Sequence, residues 1–129
     1  MDKTISYLRI LFHILTLLLI ILSLYPGSIL GFLLYGDFRL QPQITKDFLY
    51  ISSQHLYVYG LVATLGFFSY LRDRKFKIVV IYLFFLSIIL EVSHLVIFER
   101  LFQISDLAGN ILGVLIVYMV VLIYKFWRK

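Results

Sequence analysis

Glu91 and His94 lie three residues apart in "ILEVSHLVIFER", inside a run otherwise built mostly of aliphatic and aromatic residues. On a helix that spacing puts a carboxylate and an imidazole on one face. Such a pair suits general acid/base chemistry. With further donors it also satisfies the ligand types of a hard or borderline metal ion. Further donors exist. "SSQHLYVYG" carries His55 and Tyr59, four apart and on one face. "SDLAGNILG" carries Asp106 and Asn110 one turn apart, with Arg100 a few residues ahead of it. Ser87, Glu91 and His94 follow an i, i+4, i+7 pattern and make a single stripe.

Each of these residues also has a structural reading. Glu91 and His94 could form a hydrogen-bonded network that fixes helix register. Asp106 suits the positive end of a helix that opens with Ser105 as N-cap, and Asn110 suits interhelical hydrogen bonding. Arg100 is an interfacial anchor or the counter-ion of Glu91 or Asp106. A carboxylate in mid-membrane costs ~2.5 to 3.5 kcal/mol on insertion scales, so Glu91 must find a partner or carry a proton. The chain has no cysteine, which excludes disulfides and thiolate metal sites. Phosphate loops and nucleophile elbows are absent as well. The sequence by itself assigns no metal and no cofactor.

The elements that position these residues follow from hydropathy. With 62% hydrophobic residues and a mean hydropathy of +0.98, the chain is too apolar for a soluble domain of 129 residues. Runs at about 7–25, 51–71, 78–98 and 106–124 approach the ~20 residues that cross a bilayer as helix. The expected fold is an all-α membrane protein, a single domain over 1–129, with four transmembrane helices in an antiparallel bundle. Pro26 ends or kinks the first span, and "SILGFLLYG" either extends it obliquely to about 34 or lies in the interface; extension is the expectation. The first span lacks the cleavage pattern of a signal peptide.

Lys3, Arg9, Arg72, Arg74, Lys75, Lys77, Lys125, Arg128 and Lys129 are nine of the twelve basic residues and fall on one side of such a bundle. That side is the cytoplasm, so both termini are expected there. Topology thus accounts for the net charge of +5, and nucleic acid is not an expected partner. Trp127 and Tyr124 suit the cytoplasmic headgroup level. His13 reads as a satisfied core or interface residue. Ser105, Gly109 and Gly113 form a flat ridge for close helix packing. The other polar residues gather in the external halves of three spans, which points to a shared cavity opening outward.

The same residues resemble the signature of VanZ-like membrane proteins. That family shows a Glu-x-x-Gln in one span, an Arg before the next, and an Asp-x-x-x-Asn-x-x-Gly frame. Glu91, Arg100, Asp106, Asn110 and Gly113 fit it, and His55 and Tyr59 fit an earlier His- and Tyr-bearing segment. His94 stands where the family has glutamine, and an Asp-Lys pair usual before the first histidine is absent from "YISSQHL". The resemblance covers about 60 residues of helices two to four. It implies a multi-pass protein of the bacterial cytoplasmic membrane. Some such proteins are linked to teicoplanin-type antibiotic resistance and others to polysaccharide or surface-protein export. No general reaction is implied.

The expected function is engagement of an envelope lipid, glycan or glycopeptide headgroup in the outward pocket. That role would serve envelope maintenance, polysaccharide biosynthesis or antibiotic tolerance. The pocket candidates are His55, Tyr59, Glu91, His94, Arg100, Asp106 and Asn110. The rival readings are a membrane enzyme on lipid-linked glycans, a small proton-coupled exporter, and a structural partner within an export complex. The lipid bilayer is a partner under every one of them.

Overall fold

The computed structural model describes residues 2–129. Among the described residues the regular structure is helical, with five helices: α1 (Lys3–Leu24), α2 (Ile29–Tyr35), α3 (Ser53–Ser69), α4 (Phe76–Ser93) and α5 (Ile104–Trp127). Helices α1, α4 and α5 are long and apolar enough to cross a membrane. Helix α3, at 17 residues, is about 26 Å long at ~1.5 Å per residue, a little short of the ~30 Å hydrocarbon core.

The four longer helices alternate in direction. Arg9 near the start of α1 reaches Ser69 at the end of α3. The end of α1 reaches the end of α4 through Ser23 and His94. Ser52, just ahead of α3, donates its N–H to the Ser105 carbonyl at the start of α5. The bundle therefore has one end carrying the chain termini and the 70–75 turn. The opposite end carries the 25–52 and 94–103 connections.

Helix α3 is the hub, packing on α1, α4 and α5. Tyr59, Val62, Ala63 and Phe67 from α3 meet Phe12 of α1, Leu83 of α4 and Val114 of α5 in the core. Its seam with α5 is the tightest. A Cβ added at Gly109 would lie 2.6 Å from the Ser52 carbonyl oxygen, and one at Gly113 would lie 2.6 Å from that of Leu56. The expected ridge of Ser105, Gly109 and Gly113 is thus the surface on which α3 lies. Helix α1 buries only Phe12 and Thr16 and turns Ile10, Ile14, Leu17 and Ile21 outward. That face suits lipid and would be a liability in water.

Three expectations need correction. Helix α1 does not continue to 34: it stops at Leu24, Gly27 turns the chain at φ +107°, and α2 is a separate helix capped by the Ser28 side chain. Pro26 cannot donate to continue the ladder, which is why the break falls there. The third expected span also ends early, at Ser93 rather than 98. Residues 94–103 fold back over the helix end, with Glu99 in the left-handed region at φ 62°. Ser105 is not the N-cap of α5; Gln103 is, and its side chain makes no capping bond.

At the end carrying the termini, Arg9 forms an ion pair with Asp73 at 2.6 Å and lies over the Tyr70 ring at 4.2 Å. The Tyr70 hydroxyl meets His13 Nε2 at 3.0 Å, so His13 is satisfied as expected.

Candidate functional site

Every sequence-selected polar residue of the three helices converges at the end of the bundle carrying the 25–52 and 94–103 connections. Glu91 occupies the last turn of α4 and is 1% exposed. Its Oε1 accepts the Gln103 backbone N–H at 3.0 Å and lies 3.3 Å from His94 Nδ1. Those contacts tie the end of α4 to the start of α5 across the 94–103 connection. His94 Nε2 reaches the Ser23 carbonyl at 3.0 Å, and a carbonyl can only accept, so Nε2 carries hydrogen. Nδ1 then faces the Glu91 carboxylate.

Asn110 is buried at the centre of the cluster. Its amide nitrogen donates to the Ser87 carbonyl at 3.1 Å, which turns its oxygen toward His55 Nδ1 at 2.7 Å. Nδ1 is therefore the donor, and the His55 ring is fixed with Nε2 directed at Asp106 Oδ2, 3.6 Å away. One ligand atom from each of His55, Glu91 and Asp106 lies within 4.8 Å of the others. Tyr59 is buried on the His55 face of α3.

Arg100 is the exception among the expected pairings. Rather than pairing with Glu91 or Asp106, it donates through Nε to the Tyr25 carbonyl at 3.0 Å and through its terminal nitrogen to the Leu22 carbonyl. The physical reason is the break at Pro26. Helix α1 ends there with carbonyls that have no intrahelical partner, and the guanidinium satisfies two of them. The expected cationic rim is present, but it is anchored to α1.

Two cavities adjoin at this cluster. One, of about 230 Å³, is bounded by apolar side chains such as Leu19, Leu22, Ile29 and Val58, with Tyr59 on its wall. The other, of about 360 Å³, is polar and bounded by Arg39, Glu99, Gln103 and Asp106 among others. Gln41, His55, His94 and Arg100 line both. Arg39 and Gln41 come from the 36–52 connection, where no periodicity fixes position, so hydropathy and helix spacing did not select them. The Gln103 N–H is a main-chain donor and leaves no mark in a motif. None of the family models, curated proteins or solved structures compared with this chain matches it.

Proposed function

We propose that this chain is a VanZ-like protein of the bacterial cytoplasmic membrane that holds the anionic headgroup of an envelope lipid-linked glycan or glycopeptide. In this reading α3 is the fourth span, both termini are cytoplasmic, and the polar cavity opens outward. The observation that carries it is the pair of adjoining cavities, one apolar and one polar, with His55, His94 and Arg100 at their junction. An amphipathic ligand needs that division: chain carbons in the first chamber, headgroup in the second. Arg39 and Arg100 supply the positive charge that phosphate or carboxylate seeks.

The test is native mass spectrometry of the purified protein with a lipid-linked glycan pyrophosphate, competed by bulk phospholipid. The glycan lipid is expected to stay bound under competition. Arg39→Gln is the informative variant, because the Arg39 side chain makes no hydrogen bond among the described residues. Losing one charge-assisted contact, ~1.5 to 3 kcal/mol, should weaken retention by about tenfold or more with the fold intact. Equal retention of bulk phospholipid would overturn the reading.

A second reading, an enzyme on the same class of lipid, is favoured by His55 Nε2 and the Asp106 carboxylate meeting at the polar cavity. Imidazole and carboxylate so placed can relay a proton. Mass spectrometry of the incubated lipid would then show a new product that Asp106→Asn fails to form.

A further inference from the structure

We infer that His55, Glu91 and Asp106 form a binding site for a divalent transition-metal cation, Zn²⁺ or Mn²⁺, in the wall of the polar cavity. Three independent features point there. The first is distance: the three candidate ligand atoms lie within 4.8 Å of one another. The His55–Asp106 separation of 3.6 Å is close to the ~3.4 Å edge of a tetrahedron with ~2.1 Å metal bonds. The longest edge, at up to 4.8 Å, closes by about 1.4 Å on binding, which rotation of the Glu91 and Asp106 carboxylates can supply.

The second feature is the orientation of His55. Asn110 is locked by its bond to the Ser87 carbonyl and takes the Nδ1 hydrogen of His55. That is the arrangement by which a carbonyl fixes a ligating histidine, raising the basicity of the other nitrogen and aiming it at a metal. In this tautomer the Nε2 lone pair and the Asp106 carboxylate face each other, two electron-rich groups that a cation between them would reconcile.

The third is Glu91 Oε2. The residue is 1% exposed, and this oxygen has no hydrogen-bond partner among the described residues. A buried carboxylate oxygen without a donor is costly, and a metal ion supplies what is missing. Two carboxylates also balance one divalent charge, which makes their placement inside a membrane protein less expensive. The imidazole favours a transition metal, Zn²⁺ above all, over Ca²⁺ or Mg²⁺, and the two carboxylates also suit Mn²⁺. Asp106 and His55 line the polar cavity, so a remaining coordination position would face it and be open to water or to a phosphate oxygen.

The site does not depend on the lipid reading, and its test uses the metal alone. The full chain in detergent, stripped with chelator and titrated with Zn²⁺ or Mn²⁺, should take up one ion per chain by calorimetry and elemental analysis. His55→Gln and Asp106→Asn should each weaken binding by about 100-fold or more. Asn110→Ala should weaken it by ~10 to 100-fold through the loss of its hold on His55. His13→Gln, at the other end of the bundle, should bind as the parent does. Zinc-edge X-ray absorption of the unaltered protein needs no variant and should show a single imidazole among oxygen ligands. Failure of the folded parent chain to bind either ion up to millimolar concentration would overturn the proposal. So would a shell of several imidazoles, or binding that survives both His55→Gln and Asp106→Asn in folded protein.

Discussion

Glu91 is the residue on which the site turns, because its carboxylate serves three neighbours. It accepts from the Gln103 N–H, faces His94 Nδ1, and contributes a ligand atom to the cluster with His55 and Asp106. Truncating this buried side chain to a methyl leaves the Gln103 N–H unpaired and opens a cavity, together ~3 to 5 kcal/mol. Glu91→Ala is expected to destabilise the fold by about that much. Glu91→Gln keeps an acceptor for Gln103 and should cost ~1 to 2 kcal/mol, near one hydrogen bond. Unfolding midpoints in a denaturing-detergent titration compare the two, and an equal loss in both would show that the Gln103 contact is unimportant. That Glu91, His94, His55, Asp106 and Asn110 converge was legible in the sequence, because helix periodicity fixes faces and the hydropathy boundaries fix depth. The partner of Arg100 was not legible. It depends on carbonyls freed by a helix break, and main-chain acceptors carry no sequence signal.

At the scale of elements, the seam between α3 and α5 sets the site's geometry, because α3 brings His55 and α5 brings Asp106 and Asn110. In lipid, apolar burial gives little drive for helices to associate, so close backbone packing matters more. Gly113→Ala would push a methyl to 2.6 Å from the Leu56 carbonyl oxygen and 2.9 Å from the Gly60 nitrogen. Overpacking of this kind costs ~1 to 3 kcal/mol. Gly60→Ala meets only the Gly113 carbonyl, at 3.8 Å, and should be nearly neutral. Thermal melts of the two variants test the asymmetry; the small-residue spacing announced the ridge, but only the structure separates Gly113 from Gly60. The turn between α3 and α4 carries a pH dependence. The Lys75 backbone N–H holds the Asp73 carboxyl below the usual aspartate value; burial works against it, and the hydrogen bond and charge of Arg9 add to the lowering. A carboxyl lowered on folding contributes stability above its unfolded pKa of ~3.9 and loses it as pH falls through the folded value. Asp73→Asn should therefore flatten the decline in unfolding midpoint across that acidic window, and an unchanged slope would mean that the turn plays no part in it.

For the whole molecule, helix length and charge together bear on how the bundle sits in the bilayer. Helix α3 is short because it is surrounded by α1, α4 and α5, so protein rather than lipid covers most of it. Hydropathy alone put it at 51–71, adding residues at each end that belong to Ser52 and to the 70–75 turn. The 25–52 connection was the least legible part, since its path is set by contacts such as Asp47 with the Ser53 N–H rather than by any periodic pattern. Charge makes a sharper statement about orientation. The end carrying the termini and the 70–75 turn holds nine of the twelve basic residues, and the expected place of short loops so enriched is the cytoplasm. The chain contains no cysteine, so a single introduced thiol reports its own surroundings. Gln43→Cys, in the exposed 36–52 connection, should react with a membrane-impermeant maleimide on intact cells that express the protein. Arg74→Cys, in the exposed 70–75 turn, should react only after the membrane is permeabilised. The converse pattern would turn the bundle over and direct the polar cavity to the cytoplasm, where envelope glycans on the outer leaflet could not reach it. Labelling of both thiols in intact cells would mean that α3 does not span, and the four-helix topology would fail with it.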